Sequence, residues 1–250
     1  MRIDPTGRSV LVTGGSRGIG AAIVGRFAEA GARVAVHYGR ERERAETLAA
    51  EVGGEAFGAN LREPAAGEQL WSAVVECFGR VDVLVNNAGV AVSAPLDQGT
   101  AAWIEAWERT LAVNLTAAAV LSRAAIAHFR ERGGGRIVNI ASRAAFRGDQ
   151  PDYLAYAASK AGLVALTRSI ARAWGRDAIT AFVVAPGFTR TEMAQDFIDQ
   201  YGPEIALRDN ALGRFTEPED IAPTVVFLAS GLADHATGTT VDINAASYVR

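Results

Sequence analysis

Tyr156 and Lys160 stand four residues apart in Tyr156-Ala157-Ala158-Ser159-Lys160. On a helix, that spacing places two side chains on one face, about a turn from each other. A free phenol titrates near about 10. A fixed ammonium beside it favours the phenolate and lowers that value. Bringing it to about 7 asks for roughly 4 kcal/mol of differential interaction between the two protonation states. A phenol tuned in this way can pass a proton to or from the oxygen of a bound molecule near neutral pH. Ser142, upstream, could donate a hydrogen bond to the same oxygen. Tyr-x-x-x-Lys also occurs in many helices as a half-buried ring beside a solvated amine, so the remainder of the chain must decide.

The elements that would position these residues begin with Ser9-Val10-Leu11-Val12-Thr13, a short β-branched run read as a strand. It meets Gly14-Gly15-Ser16-Arg17-Gly18-Ile19-Gly20, after which Ile19, Ile23 and Phe27 recur at helical spacing. Strand, glycine turn and helix together place a diphosphate on a helix N-terminus, where bare N–H groups and the helix dipole favour anions. The strict G-x-G-x-x-G pattern is absent; Gly14-x-x-x-Gly18-x-Gly20 stands instead. Context makes nucleotide binding the expectation, against a mere tight turn.

Arg33–Tyr38 reads as a second strand, ending in His37-Tyr38-Gly39-Arg40 without a carboxylate. In dinucleotide folds an acidic residue there grips the ribose 2′-hydroxyl, and a nearby arginine accommodates a 2′-phosphate instead. Arg17 and Arg40 are both available, so NADP(H) is favoured, with NAD(H) possible. The bland reading is that Arg40 opens a charged helix, Arg40–Glu51, whose Arg42, Glu43, Arg44 and Glu46 form a solvated face.

Glu55–Asn60 reads as a third strand, Pro64–Phe78 as a helix, and Val81–Val85 as a strand ending in Asn86-Asn87-Ala88-Gly89. Amides and a glycine at a strand's carboxyl end suit a ligand crevice. Ala101–Arg130 has one long helical pattern, within which Asn114 is either functional or a buried hydrogen bonder. A strand over Gly135–Ala141 leads to Ser142, the Tyr156 helix runs to about Trp174, and Ile179–Val184 is a strand ending at Pro186-Gly187. The alternation lapses from Phe188 to about Gly213, where Met193, Phe197, Tyr201 and Pro203 fit a mobile lid. Glu217–Ala229 is a last helix and Thr239–Ile243 a last strand. Alternating strands and helices imply one α/β domain: a doubly wound parallel sheet of about seven strands with helices on both faces.

Bulk properties narrow the class. The 250 residues are 49% apolar, ample for one core, and the net charge of −3 implies no broad surface for nucleic acid. No apolar run reaches the roughly 18 residues of a membrane span, and Met1-Arg2-Ile3-Asp4-Pro5 lacks the core of a secretion signal. The single cysteine, Cys77, excludes an internal disulfide and reads as a small buried apolar residue. His37, His128 and His235 show no metal-ligand spacing, so no metal is expected. These limits fit a cytoplasmic protein.

Taken together, Thr13-Gly14-x-x-x-Gly18-x-Gly20, Asn86-Asn87-Ala88-Gly89, Asn114, Ser142, Tyr156-x-x-x-Lys160 and Pro186-Gly187 resemble the short-chain dehydrogenase/reductase family, in its order and approximate spacing. The resemblance spans essentially the whole chain and implies a Rossmann-type fold. It implies an NAD(P)-dependent oxidoreductase moving hydride between a nicotinamide and a carbonyl or secondary alcohol, with a 3-oxoacyl or sugar/polyol substrate in view. Tyr156 would be the general acid/base, Lys160 would lower its pKa and hold the nicotinamide ribose, Ser142 would polarise the carbonyl, and Asn114 would support a proton path to Lys160. Cofactor contacts are implied for Gly14, Ser16, Arg17, Gly18, Ile19, Gly20, Tyr38, Arg40, Asn60, Leu61, Asn87, Ala88, Gly89, Tyr156, Lys160, Pro186, Gly187, Thr189 and Thr191. The resemblance also implies a homotetramer packed across the helices of Asn114 and Tyr156, with Ala157, Ala158 and Ala161 permitting close approach. Departures are Asn60 for the usual aspartate, Phe182 for the usual asparagine, Asn244-Ala245-Ala246 for Asn-Gly-Gly, and Asp177 where carrier-protein reductases often place an arginine. A different class, a non-catalytic dinucleotide-binding sensor or scaffold, is the alternative.

Overall fold

Seven short strands rich in β-branched residues pair into one parallel sheet, in the order β3-β2-β1-β4-β5-β6-β7. They are β1 (Ser9–Val12), β2 (Arg33–Tyr38), β3 (Glu55–Gly58), β4 (Val83–Asn86), β5 (Gly135–Ile140), β6 (Ile179–Pro186) and β7 (Thr240–Ile243). The computed structural model describes residues 6–192, 194, 195, 198, 202, 204 and 207–249. Met193, Phe197, Tyr201 and Pro203, expected in a lid, lie outside the described residues.

Alternate residues of each strand enter opposite cores, as a period of two requires. Val10, Val12, Val34 and Val36 face one cluster, with Ile23 and Phe27 of helix α1 (Gly18–Glu29) and Ile221 and Val225 of the helix Pro218–Ala229. Leu11, Ala35 and Leu84 face the other, against α3 (Pro64–Phe78) and the helices α5 (Ala117–Arg132) and α7 (Leu154–Trp174). Burial on both faces explains why these strands read as continuous apolar runs. Strand order reverses between β1 and β4, and the carboxyl ends of those two strands open the crevice where such sheets bind ligands.

Several boundaries differ from expectation. Thr13 leaves the ladder to accept hydrogen bonds, and Asp82 precedes β4, its carboxylate accepting from Ser9 N at 2.8 Å and pairing with Arg80. Helix α2 (Arg42–Glu51) begins at Arg42, not Arg40. The long helical pattern is not uniform: α4 (Thr100–Leu111) passes through a π turn at Ala112–Thr116 before α5. The whole stretch Thr100–Arg132 is long and apolar enough to cross a membrane by length and composition, although no uninterrupted apolar run within it is. Its Leu121, Ala125 and Phe129 nevertheless pack inside the protein against the sheet and α3, as a core helix does. Cys77 is exposed, since the buried stripe of α3 runs through Leu70, Trp71, Val74 and Phe78. Its sulfur meets the Arg33 guanidinium instead.

Candidate active site

The glycine turn follows β1 directly. Helix α1 starts at Gly18 with Arg17 as N-cap, no side-chain cap and no acidic residue in its first turn. Its leading N–H groups and positive dipole end are therefore free to meet an anion. Gly18 holds φ +51°, a left-handed value that favours glycine. At Gly20 a Cβ would come within 2.0 Å of the Gly14 carbonyl oxygen and 2.6 Å of Asn87 Nδ2, so no side chain fits there.

Three side chains fix this turn. Thr13 Oγ1 accepts from the N–H groups of Asn87 and Ala88, each at 3.0 Å. Asn87 Nδ2 donates to the carbonyls of Thr13 and Gly14 at 2.9 and 3.0 Å. The amide expected to face a ligand is thus spent on joining β1 to β4. Asn86 points away from the crevice into a buried network, donating to Asn139 Oδ1 at 2.8 Å.

The third is His37, a residue the sequence offered only as an isolated histidine. Its Nδ1 accepts from Gly14 N–H at 3.0 Å and its Nε2 lies 3.1 Å from the Ala59 carbonyl oxygen. Only the neutral Nε2–H tautomer satisfies both contacts. Burial pushes His37 down to about 4, with the Ala59 bond opposing. Between that value and the ordinary 6.5 the unfolded chain binds the proton more tightly. The contribution of His37 to stability is therefore complete above the ordinary value and is lost as pH falls through the folded one; the gap corresponds to roughly 3 kcal/mol. In urea titrations, the parent should lose up to that much more than His37→Asn over this window, because asparagine can hold both partners without titrating. Parallel pH profiles for the two proteins would refute this role.

At the expected adenosine end, the Tyr38 ring lies against Gly58, where a Cβ would be 2.9 Å from it. Asn60 Oδ1 accepts from Arg62 N at 3.3 Å. Leu61 is buried in the core, which leaves only its backbone for a ligand. The Arg40 guanidinium is exposed and has no hydrogen bond or ion pair among the described residues. Arg17 and Arg44 both pair with Glu192. Arg44 was expected merely to be solvated, and Glu192 was not expected here; their separation in sequence carried no signal.

The acid–base group is assembled at the carboxyl end of β5. Lys160, only 4% exposed, donates from Nζ to the Ile140 carbonyl oxygen at 2.9 Å, and that Nζ lies 5.7 Å from the Tyr156 ring centroid. Burial lowers Lys160 to about 8. The ammonium alone does not lower the phenol: burial pushes Tyr156 up to about 12, a hydrogen bond with Ser142 pulls it back, and Asp149 raises it further. The side chain keeps some solvent contact. The cost of desolvating a phenolate here exceeds the help given by an ammonium that donates to the Ile140 carbonyl. Ser142 Oγ also accepts from Ala144 N–H at 3.1 Å, which fixes the hydroxyl at the start of the short helix α6 (Ala144–Arg147).

Asn114 is 1% exposed and sits inside the π turn. Such turns aim a side chain that a regular helix would place elsewhere. Its Oδ1 accepts from Val90 N at 2.8 Å, and its Nδ2 donates to Val90 O at 2.9 Å and Ser159 Oγ at 3.0 Å. Ser159 in turn donates to the Tyr156 carbonyl at 2.7 Å. Of the two alternatives for Asn114, the structure shows the buried hydrogen bonder, holding the Val90 backbone in the segment that follows β4. A Cβ on Gly89 would be 3.4 Å from both Asn114 Oδ1 and Lys160 Nζ.

The segment after β6 closes the crevice from the other side. Gly187 N donates to Ile243 O at 2.8 Å, and the Pro186 carbonyl accepts from Arg143 N at 2.9 Å. Thr189 Oγ1 donates to the Gly187 carbonyl at 3.2 Å. The Thr191 methyl lies 3.2 Å from where a Gly18 Cβ would stand, so this segment reaches across the glycine turn. Ala245 and Ala246, where the resembled family has glycines, hold φ of 50° and 55°. Ala245 O accepts from Ala211 N at 2.9 Å, which ties the strained turn to the end of the segment. Phe182 is fully buried in the core, while Asp177 pairs with Arg130 at 3.2 Å. An uncapped helix end, a cradle that a Cβ would fill, and a buried lysine beside a phenol fit a dinucleotide laid along the carboxyl ends of β1, β4 and β5.

A family model described as enoyl-(acyl carrier protein) reductase matches residues 14–245. A solved short-chain dehydrogenase from Burkholderia cenocepacia, in complex with NADP, is 35% identical at a TM-score of 0.89, covering 99% of each chain. The chain belongs to the short-chain dehydrogenase/reductase family. The D-threitol dehydrogenase of Mycolicibacterium smegmatis is 36% identical over 97% of this chain and 93% of its own. The acetoacetyl-CoA reductase of Rhizobium meliloti is 36% identical over 96% of this chain and 98% of its own. This short-chain dehydrogenase/reductase is accordingly an NAD(P)-dependent oxidoreductase working between a carbonyl and a secondary alcohol.

Proposed function

We propose that the chain is an NADP(H)-preferring reductase or dehydrogenase in which Tyr156 moves the proton at the substrate oxygen. The nicotinamide, when bound, supplies the hydride chemistry. The observation that carries the reading is the Ser142–Tyr156–Lys160 group at the end of β5, one strand from the open glycine turn. Ser142 orients the substrate oxygen, Tyr156 gives or takes its proton, and Lys160 holds the nicotinamide ribose. Asn114 keeps Lys160 and the Gly89–Val90 backbone in register. Gly14, Ser16, Gly18, Ile19, Gly20, Ala88 and Gly89 line the diphosphate path; Thr189 and Thr191 cover it, within a lid spanning about 188–213.

Substrate chemistry follows from both sides of the site. Relatives named for a polyol and for a 3-oxoacyl thioester support a sugar/polyol or 3-oxoacyl substrate. Arg147 pairs with Asp209 at 3.3 Å, so it is not held open for an anion. Asp177 in a surface ion pair removes the cation a carrier protein would need, and this favours a small free substrate. The non-catalytic alternative finds no support in relatives named for oxidoreductase activities.

The helices carrying Asn114 and Tyr156 expose Ile104 and Leu154, each at 44%, which supports their burial in a homotetramer. The exposed thiol of Cys77 stays reduced in a cytoplasmic setting. The cofactor preference rests on the missing carboxylate after β2 and the unengaged Arg40. Arg40→Ala should weaken NADPH binding about tenfold, as expected for one charged phosphate contact, and NADH less than twofold. Fluorescence titration of both nucleotides checks this, and equal parental affinities would overturn the preference.

A further inference from the structure

One carboxylate spans the mouth of the nucleotide cleft. Glu192 Oε2 lies 2.5 Å from Arg17 Nη1, and its Oε1 lies 2.5 Å from Arg44 Nη1. The three residues come from the glycine turn, the first turn of α2 and the segment after β6. Arg44 has a second, longer contact with Glu41 at 3.9 Å. Arg17 immediately precedes Gly18, and Thr191, next to Glu192, lies over that glycine. Gly15 N, two residues before Arg17, donates to the His37 carbonyl near the end of β2, and Arg44 lies in the helix that follows β2, the strand whose end distinguishes a ribose 2′-hydroxyl from a 2′-phosphate in this fold.

We infer that Glu192 is a specificity-determining residue of the nucleotide site, competing with a 2′-phosphate for Arg17 and Arg44. This rests on the nucleotide-binding reading above. The end of β2 itself carries no carboxylate, and Glu192 reaches the two arginines from across the cleft. A carboxylate there accepts a hydrogen bond from a 2′-hydroxyl and so favours the unphosphorylated nucleotide. A 2′-phosphate brings a third acceptor oxygen and up to one further negative charge, and displaces the carboxylate from the two guanidinium groups.

Magnitudes allow that exchange. The three side chains are 52%, 52% and 54% exposed, and ion pairs so exposed contribute only about 0–1 kcal/mol each. The contact is too weak to block a phosphate and strong enough to bias the choice. The two arginines in turn hold the Glu192 carboxyl below the usual carboxylate range, Arg44 more than Arg17, so the carboxylate is charged wherever the competition matters.

Calorimetric titration with 2′,5′-ADP and with 5′-ADP tests this without any turnover. Glu192→Gln should tighten 2′,5′-ADP by about threefold to tenfold, leave 5′-ADP unchanged or weaker, and lose part of the gain in high salt. Arg44→Ala should weaken 2′,5′-ADP alone. Unchanged or weaker 2′,5′-ADP binding by Glu192→Gln would overturn the inference. A parent that binds both probes equally would refute the NADP(H) preference separately. In that case a gain of 2′,5′-ADP affinity in Glu192→Gln still supports the inference, and no gain rejects it.

Discussion

Tyr156→Phe should lower turnover by about 10²–10⁴-fold while nucleotide affinity changes less than about twofold. The substitution deletes one oxygen and keeps the ring, so packing survives and only the proton donor and its Ser142 hydrogen bond are lost. Because burial holds the phenol up to about 12, it is protonated throughout the neutral range and poised as an acid, the form that carbonyl reduction requires. Alcohol oxidation needs the phenolate instead, so its rate should climb as pH rises from about 7 towards about 10, whereas reduction should stay flat over that range. Steady-state rates in both directions, for parent and Phe variant, check both statements. Undiminished turnover in the Phe variant would remove Tyr156 from the chemistry.

What could be read in the chain beforehand was whatever depends on local pattern. Pro64–Phe78 was legible as a helix to the residue, because an N1 proline opens it and Gly79, in the left-handed region, ends it. Strands such as β1 and β6 were legible because both faces are buried and their runs are nearly all apolar. The glycine turn was legible because Gly18 and Gly20 are sterically required there. The π turn was not: its residues Ala112–Thr116 are ordinary in helices, and the turn goes with contacts distant in sequence, Asn114 holding both backbone groups of Val90. Nor were the contacts that close only through tertiary folding, such as His37 with Gly14 and Ala59, or Glu192 with Arg17 and Arg44. The upward shift at Tyr156 without a nucleotide was not legible for a related reason. Spacing brings a lysine near a phenol but does not say how much water each loses, and desolvation is the larger effect here.

The same desolvation makes Lys160 a source of instability, which leads to the second large effect. Its ammonium is lowered from 10.5 to about 8 by burial alone. The folded state therefore binds this proton less tightly than the unfolded one. Below pH 8 the full penalty applies, roughly 3 kcal/mol, and it fades as pH rises through 8 towards 10.5. Lys160→Met has nearly the same length, removes the charge, and leaves the Ile140 carbonyl without its donor at a cost of about 1–3 kcal/mol. The variant without nucleotide should thus match or exceed the parent's stability at pH 7, by about 0–2 kcal/mol, and should fall below it near pH 10. Its kcat/KM should nevertheless fall by about 10²–10³-fold, the usual effect of deleting one preorganised donor. Stability gained where activity is lost marks a residue kept for chemistry at the expense of the fold. Urea unfolding at the two pH values, alongside kinetics, measures both sides. If the Met variant is destabilised equally at pH 7 and pH 10, the buried ammonium carries no penalty and Lys160 is a structural hydrogen-bond donor only.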